Sequence, residues 1–355
     1  MEIGIIFVLQ VLGGLSILAT LLPFIRSDHW IIRIFDFPRM QIAVFILLII
    51  AADFVLQDNH IFPEKIWLFC LISTFIYQAF KIYPYSQLSR KEVVAAQDAD
   101  AHATLRLLVS NVYMYNKNVT DFLKIVSEAD PDVILVVETD QWWTDELAGL
   151  KKKYPHSVLQ PLENTYGMLL FSRLQLNRPE VRYLVEDDVP SIKTAVEIAP
   201  GQRIMLYCLH PRPPRPTKNQ NTTERDIELI KVGKEIRNME LPVIVAGDLN
   251  DVAWSHTTRL FRKISGLLDP RVGRGLFSSF HAKIPFLRWP LDHVFHSEHF
   301  KLIRLKRLGF FGSDHFPIFT HLQLHPAAEI LQDPPEAERV DLQEAVEILN
   351  KEKAL

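Results

Sequence analysis

The chain has 355 residues, a formal net charge of −3 and only two cysteines. Two cysteines exclude a small fold held together by several disulfides, and the near balance of charge is not that of a strongly basic nucleic-acid-binding protein. Hydrophobic residues make up 48% of the sequence, a high fraction for a water-soluble enzyme, which indicates membrane segments.

Three apolar segments lie near the N-terminus, at residues 3–25, 41–57 and 66–83. The first is uncharged and about as long as a bilayer-crossing helix, and it lacks the basic start and short core of a cleaved signal peptide. A buried soluble helix could account for the second segment alone, but not for three in succession. We therefore predict a multi-pass integral membrane region over residues 1–85. Asp53 is expected to reach the headgroups rather than to act as a functional intramembrane carboxylate.

Basic residues predict the topology of this region. The connection between the second and third segments carries only Lys65, whereas the other two flanking stretches are richer in positive charge. The positive-inside rule then places residue 1 outside and everything after residue 83 in the cytoplasm, with a bacterial inner membrane as the expected location. The basic residues in those two stretches are Arg26, Arg33, Arg39, Lys81, Arg90 and Lys91.

The rest of the chain is predicted to contain a linker, one domain and a tail. Residues 86–104 are polar and Ala-rich and are interpreted as the linker, and residues 326–355 as an acidic solvated tail with one short helix that could lie on the domain. Residues 105–325 alternate apolar runs with helical patterns. Helices are predicted at 118–129, 142–154 and 222–239. Strands are predicted at 105–111, 132–138, 167–173, 191–199, 202–210, 242–250, 291–297, 300–308 and 316–324.

Some of these strands are joined by helices and others by hairpins. This alternation favours an α/β fold, a four-layer α/β sandwich in which two packed mixed sheets are flanked by helices. The fold class predicted for the whole chain is therefore an α/β sandwich preceded by a three-helix transmembrane region.

Polar side chains stand at the ends of the apolar strands, where strands of a packed sheet converge on one rim. A buried carboxylate is costly unless it is paired or binds a cation, and a group of carboxylate and amide oxygens suits Mg²⁺. Each residue alone is a weak signal: Glu138 could be a surface charge, and residues 247–250 a simple turn. The strand-end residues are Asn111, Glu138, His210, Asp248, Asn250, Asp292 and Asp314.

In order and spacing, these motifs resemble the endonuclease/exonuclease/phosphatase superfamily over residues 105–324. One position departs from the family pattern, because Tyr113 stands where members often carry a second acidic or amide side chain, and this puts a second metal in doubt. The resembling motifs are Ser-Asn (110–111), Pro-Asp-Val-Ile-Leu-Val-Val-Glu-Thr (131–139), Gly-Met-Leu-Leu-Phe-Ser-Arg (167–173), Leu-His-Pro (209–211), Val-Ala-Gly-Asp-Leu-Asn (245–250), Leu-Asp-His-Val-Phe (291–295) and Gly-Ser-Asp-His-Phe-Pro (312–317).

The resemblance implies a bound Mg²⁺, with Mn²⁺ as a substitute, held by Glu138 with Asn111 and Asp314 beside it. It also implies that His315, held and made more basic by Asp292, activates the attacking water.

Further roles follow from the same resemblance. Asp248 is expected to position or deprotonate the water, and Asn250 to donate to the phosphate. His210 is expected to act as a general acid or phosphate donor, unless it is merely a strand-end histidine satisfied by a neighbour. Arg225, at the start of a helix, is the weakest candidate, for contact with the phosphate.

Three functions remain open from the sequence. The first is hydrolysis of a phosphoester, a lipid headgroup or small molecule, at the membrane. The second is a nuclease acting on DNA or RNA, and the third a non-catalytic membrane-bound binding module. The expected partners are the bilayer and a phosphorylated substrate, and no obligate protein partner is indicated. Basic residues expected near the rim are Arg212, Arg215, Lys218, Arg271, Arg274 and Arg288.

Overall fold

The computed structural model describes residues 2–56, 62–96, 103–214 and 220–354. Its helices are α1 (Glu2–Leu21), α2 (Trp30–Arg33), α3 (Arg39–Leu56), α4 (Phe62–Ile82), α5 (Val119–Ala129), α6 (Gln141–Glu146), α7 (Thr223–Arg237), α8 (His256–Ser265), α9 (Ala328–Leu331) and α10 (Arg339–Asn350). Its strands are β1 (Thr104–Asn111), β2 (Val133–Val137), β3 (His156–Gln160), β4 (Met168–Ser172), β5 (Leu176–Arg182), β6 (Ser191–Ala199), β7 (Gln202–Cys208), β8 (Val243–Asp248), β9 (Asp292–His296), β10 (Phe300–Arg307) and β11 (Ile318–Leu324).

Helices α1, α3 and α4 are long and apolar enough to cross a membrane, which suggests membrane association. They pack on one another through Ile46, Ile49 and Leu71, while many of their other apolar side chains are exposed. Such an exposed apolar surface is typical of lipid-facing helices. Asp53, which we expected to reach the headgroups, is buried among these helices.

The remaining strands form two mixed sheets that pack face to face, and this confirms the predicted α/β sandwich. One sheet has the order β10-β11-β1-β2-β4-β3 and the other β5-β6-β7-β8-β9. The pairs β1/β2 and β7/β8 are parallel, and the other pairs are antiparallel. Leu107, Leu135 and Leu170 of the first sheet share a core with Leu206 and Ile244 of the second.

Two strands, β3 and β5, were absent from the sequence prediction. Both lie at sheet edges, and neither shows the fully buried pattern of the central strands. Strand β5 even contains Pro179, which an edge strand tolerates because it has one unpaired side. Helix α8 was also missed, and the helix predicted at 142–154 is instead α6 followed by a short 3-10 segment, Ala148–Lys152.

The predicted linker packs against the domain. Val93 is fully buried in the core between the sheets, and the backbone of Val94 and Ala96 pairs with Leu302. The predicted boundary at residue 104 therefore differs from the structure, because the amphipathic stretch around Val93 covers the edge of β10. Residues 97–102 lie outside the described part of the chain.

The C-terminal tail also differs from a fully solvated segment. Helix α10 packs on α7 and α8, with Ala345 buried among Ile230, Leu260 and Ile264. This is the alternative in which the tail helix lies on the domain.

The connection between α1 and α3 docks directly onto the sandwich. The Trp254 indole donates to the Asp36 carbonyl of this connection at 2.6 Å. The segment after α4 also docks there, because the Tyr85 hydroxyl donates to the Ala253 carbonyl at 2.8 Å. The backbone amide of Trp30 donates to the Gln220 carbonyl at 2.7 Å. The membrane region and the sandwich therefore share an interface.

Candidate active site

One rim of the sandwich collects the strand ends of both sheets. Asn111 ends β1 and Glu138 follows β2, which runs parallel to β1. In the second sheet Asp248 ends β8 and faces Asp292, the first residue of the antiparallel neighbour β9. His315 precedes β11 and completes the group. The structure thus brings together side chains separated by up to two hundred positions in the sequence.

Asn111 joins the two sheets at this rim. Its Nδ2 donates to Glu138 Oε1 at 2.8 Å and to Asp248 Oδ2 at 3.0 Å, while its Oδ1 accepts from the Tyr113 amide at 2.9 Å. In this orientation the amide nitrogen, rather than the oxygen, points at the carboxylates. The side chain therefore holds two acidic groups at a fixed separation.

His315 lies between two carboxylates. Its Nδ1 is 2.7 Å from Asp292 Oδ2, and its Nε2 is 3.6 Å from Asp248 Oδ2. Burial alone lowers the pKa of His315, but the two carboxylates outweigh it and raise that pKa to about 10. The imidazole therefore carries its proton at neutral pH in this arrangement.

Two serines that we had not singled out position this histidine and its partner. The Ser313 hydroxyl donates to the Asn111 carbonyl at 2.8 Å and accepts from the His315 amide at 3.0 Å. The Ser279 hydroxyl accepts from the Asp292 amide at 3.1 Å. Ser313 lies inside the Gly-Ser-Asp-His-Phe-Pro motif and could have been recognised there, whereas nothing in the sequence around Ser279 marks it.

The acidic groups fit a divalent cation. Burial, together with the neighbouring carboxylates of Asp314 and Asp248, raises the pKa of Glu138 to about 7, although Asn111 and His315 oppose the shift. Burial likewise raises the pKa of Asp248. A hard cation would offset this repulsion, and carboxylates are the ligands it prefers. Ligand atoms of Asp248, Asp292 and His315 also lie within 4.8 Å of one another.

Asn250 and Arg225 are engaged with the protein. The Asn250 amide nitrogen donates to the Pro211 carbonyl at 2.9 Å, and its backbone adopts a left-handed φ of 51°. Arg225, only 3% exposed, donates to the Asn250 carbonyl at 2.8 Å and lies 3.3 Å from Asp251. Its guanidinium therefore holds the Asn250 turn, which differs from the direct phosphate contact that we expected.

His210 follows β7 and is buried beside Tyr166, with ring centroids 5.4 Å apart. It lies near enough to Asp248 to lower the pKa of that carboxyl, against the larger effect of burial. The strand end is held close by Gly247, where a Cβ would lie 1.8 Å from the Leu209 carbonyl oxygen. Glycine is needed at this position because any side chain would separate β7 from β8.

The basic residues expected near the rim are mostly paired elsewhere. Arg271 is buried against Asp269 at 2.8 Å. Arg212 pairs with Glu186 and Asp188. Arg274 donates to backbone carbonyls, and Arg288 lies over the Phe316 ring. Arg215 and Lys218 lie outside the described residues. Among the described residues, these arginines therefore do not form an unpaired cationic rim.

The site opens into a cleft of about 650 Å³. Glu138, Asn250, Asp314 and His315 line one part of it, and residues of the α1–α3 connection line another. The aromatic residues of this connection that line the cleft are Trp30, Phe35 and Phe37, whereas the sequence expectation for the connection concerned only its charges.

The chain is similar to a known protein family in sequence and to solved proteins in structure. The model of the endonuclease/exonuclease/phosphatase family matches residues 108–315. No curated protein sequence matches the chain. A crystal structure of a humanized D. rerio TDP2 with 14 mutations is similar, with a TM-score of 0.50 and 15% identity over 62% of this chain and 99% of that one.

Two bacterial proteins of known structure are similar to this chain to the same degree. An endonuclease/exonuclease/phosphatase family protein from Bacteroides thetaiotaomicron has a TM-score of 0.50 and 17% identity over 62% of this chain and 97% of that one. A functionally unknown conserved protein from Enterococcus faecalis V583 has a TM-score of 0.50 and 13% identity over 62% of this chain and 100% of that one. At these identities the likeness shows the fold alone.

Proposed function

Because the chain belongs to the endonuclease/exonuclease/phosphatase family, we propose that it is a divalent-metal-dependent phosphoester hydrolase acting at a membrane surface, with Mg²⁺ as the metal and Mn²⁺ as a substitute. The observation that carries the proposal is the joining of Asn111, Glu138 and Asp248 across the two sheets, with His315 beside them. A binding module without catalysis has no need for four buried or half-buried carboxylates around one histidine.

In this proposal Glu138 and Asp314 hold the metal. Both face the cleft, whereas Asp292 is committed to His315. Because His315 Nδ1 is engaged by Asp292, whereas Glu138 and Asp314 face the cleft, the proposal assigns the metal to the Glu138 side of the cluster. When bound, the metal neutralises a phosphoryl oxygen and the charge that develops on the leaving oxygen. Asn111 orients the Glu138 carboxylate toward that position.

Asp248 takes the proton of the attacking water in this proposal. Burial raises its pKa, which makes it a stronger base than an exposed aspartate, and His315 already holds a proton. The water oxygen forms a bond to phosphorus as the bond from phosphorus to the leaving oxygen breaks. The His315 imidazolium, held by Asp292, stabilises the charge on the phosphoryl group. This reverses the role we expected for His315, from base to donor.

The remaining residues complete the assignment. His210 supplies a proton to the leaving oxygen, and Asn250 holds the phosphate, for which its amide nitrogen would exchange the Pro211 carbonyl for substrate. Arg225 acts as a positioning residue, because it fixes the Asn250 carbonyl.

A metal titration of the purified full-length protein tests the proposal, with bis-p-nitrophenyl phosphate and p-nitrophenyl phosphate as substrates. Wild-type protein is expected to hydrolyse one of them in Mg²⁺ and to lose the activity in chelator. Glu138→Gln should need a higher Mg²⁺ concentration, and His315→Ala should lower turnover about 10²- to 10⁴-fold. Activity that ignores chelator, or an unchanged titration of Glu138→Gln, would contradict the metal assignment.

A nuclease is the alternative activity of the same site. It predicts cleavage of plasmid DNA or RNA by the same preparation, with the same dependence on Glu138. The paired state of the arginines around the rim argues against it, because nucleic acid binding relies on cations that face the phosphates.

A further inference from the structure

The cleft that leads to the active site has apolar walls, and one wall belongs to the membrane region. The α1–α3 connection contributes Trp30, Ile34, Phe35 and Phe37, and the segment before β9 contributes Phe280, Leu287, Trp289 and Leu291. Its volume of about 650 Å³ lies within the range of about 300–1,000 Å³ found for ligand sites. A polar end that carries the catalytic groups thus continues into an apolar part.

We infer that this cleft binds a hydrocarbon chain of the substrate, so that the hydrolysed phosphoester is that of a membrane lipid. The inference rests on the proposed hydrolase function and names its substrate class. A lipid phosphoester has the same division as the cleft, with a charged phosphate at one end and an apolar chain at the other.

Three aromatic rings in the cleft, those of Phe37, Phe280 and Trp289, pack on one another and do not form an open stacking platform for nucleobases. Trp289 packs edge-on against Phe37 at 5.7 Å and stacks on Phe280 at 6.0 Å, and Phe280 also contacts His315 with ring centroids 5.0 Å apart. Because these rings pack on one another, they form a continuous apolar wall. Proteins that bind single-stranded nucleic acids instead combine exposed aromatic faces with a positively charged groove.

Cations are also few in the cleft. Of the described residues that line it, the basic ones are Arg33, Arg225 and, at the catalytic end, His315. Arg225 is held by Asp226 and Asp251, and Arg33 lies 3.9 Å from Asp36. The walls therefore favour a neutral hydrocarbon over a polyanion.

The mouth of the cleft lies beside a helix that is long enough to cross the membrane. The Gln41 side chain, in the first turn of α3, donates to the Phe286 carbonyl at 2.8 Å. Ile34 is 49% exposed and Leu287 is 42% exposed, so the apolar wall is continuous with the molecular surface next to α3. An acyl chain can enter from the bilayer here without leaving an apolar environment.

A chain-length series tests the inference on the full-length protein in nanodiscs. The probes are methyl, butyl and octyl p-nitrophenyl phosphodiesters and, in parallel, methyl, butyl and octyl phosphate monoesters. The reacting group is constant within each series, and only the alkyl chain changes. Burial of a methylene is worth up to about fourfold in affinity, and the cleft is partly open, so kcat/KM should rise on the order of 100-fold from methyl to octyl.

A longer probe could also react faster because it partitions more strongly into the nanodisc. Variants distinguish this effect from binding in the cleft. Leu287→Asn and Ile34→Asn change half-exposed side chains, one on each wall, and each should lower the octyl-to-methyl ratio of kcat/KM about 10-fold. The matched controls Leu331→Asn and Ile330→Asn, on the exposed face of α9, should keep the wild-type ratio. Thermal unfolding of each variant checks that the fold is intact.

The outcomes are distinct. A wild-type kcat/KM that rises with chain length, together with an octyl-to-methyl ratio that falls only in the cleft variants, supports the inference. Turnover that is the same for all chain lengths, or a ratio that the cleft variants leave unchanged, overturns it and leaves the hydrolase proposal standing. Protein that hydrolyses no member of either series in Mg²⁺ overturns both. Cleavage of plasmid DNA with a flat chain-length series replaces the lipid by a nucleic acid.

Discussion

At the scale of single residues, the site depends on carboxylates that are costly to bury and that repel one another. A few shared partners hold them together. Asn111 donates to two of them, and His315 lies between two. Left alone, such charges would repel, and the raised pKa of Glu138, to about 7, reflects this repulsion as well as burial. The arrangement of these carboxylates therefore fits a bound cation.

Asp292→Asn distinguishes the two places where that cation could bind. Loss of the carboxylate lowers the pKa of His315, so turnover should fall about 10²- to 10⁴-fold. If the metal lies at Glu138 and Asp314, the Mg²⁺ concentration for half-maximal activity should stay within about twofold of wild type. A strong increase would place the metal among Asp248, Asp292 and His315. Asp187→Asn, at an exposed position, is the control and should leave both quantities unchanged.

At the scale of elements, α7 carries two glutamates in opposite environments. Burial, followed by the nearby charge of Glu186, raises the pKa of Glu228 to about 8. Burial also acts on Glu235, but hydrogen bonds from Lys193 and Arg182 outweigh it and lower that pKa. The helix therefore responds to pH in two opposing ways.

The signs follow from linkage. Glu228 has a folded-state pKa above its unfolded value of about 4.5, so it destabilises the fold increasingly as pH rises from about 5 to about 8. Glu228→Gln should therefore raise Tm more at about pH 8 than at about pH 5, by the equivalent of about 2 to 4 kcal/mol. Replacing Glu235 should change Tm in the opposite direction. Glu235→Gln should lower Tm at about pH 8, because a favourable ion pair is lost. Thermal unfolding of the two variants at both pH values measures this. An equal Tm shift of Glu228→Gln at the two pH values would contradict the prediction. Glu235→Gln should lower Tm by a similar amount at both, because the lowered pKa of Glu235 keeps it ionised throughout this pH range.

The edge elements show why some of the fold was not predictable. Strands β3 and β5 bury only part of their side chains, so no alternation marks them, and they form because a neighbouring strand offers unpaired backbone groups. The stretch around Val93 was read as a linker for a similar reason: its burial depends on β10, two hundred residues further along the chain.

At the scale of the whole molecule, the membrane region and the sandwich are not simply tethered. The α1–α3 connection contacts Trp254 and forms a wall of the catalytic cleft. In the proposed function, the orientation of the chain in the bilayer therefore determines from which side of the membrane substrate reaches the site. The positive-inside rule predicts that the sandwich faces the cytoplasm.

Labelling of an introduced cysteine tests this orientation. Leu88 is 85% exposed and follows the third membrane segment, and the native Cys208 is buried. On a Cys70→Ala background, Leu88→Cys should resist a membrane-impermeant maleimide in intact cells and react after lysis. Asn59→Cys, in the segment between α3 and α4 that lies outside the described residues, is the converse control and should react in intact cells. Labelling of Leu88→Cys before lysis would place the sandwich on the other side.

The sequence by itself determined the features that depend on local pattern. Hydrophobic runs predicted three helices long and apolar enough to cross a bilayer, and apolar strands ending in polar residues predicted the two-sheet sandwich. The structure confirms both features. The same strand ends supplied the candidate residues, because an acidic side chain after a buried strand is costly to desolvate unless it is paired or binds a cation.

Only the tertiary structure decided which partners those side chains have. The bond between Asn111 and Asp248 crosses from one sheet to the other, Arg225 turns inward to Asp251, and the aromatic α1–α3 connection reaches the catalytic cleft. These contacts join residues far apart in the chain, and their geometry follows from how the sheets pack and where the membrane helices dock. Local pattern carries no information about such distances, because the same residue types at the same positions could have faced solvent.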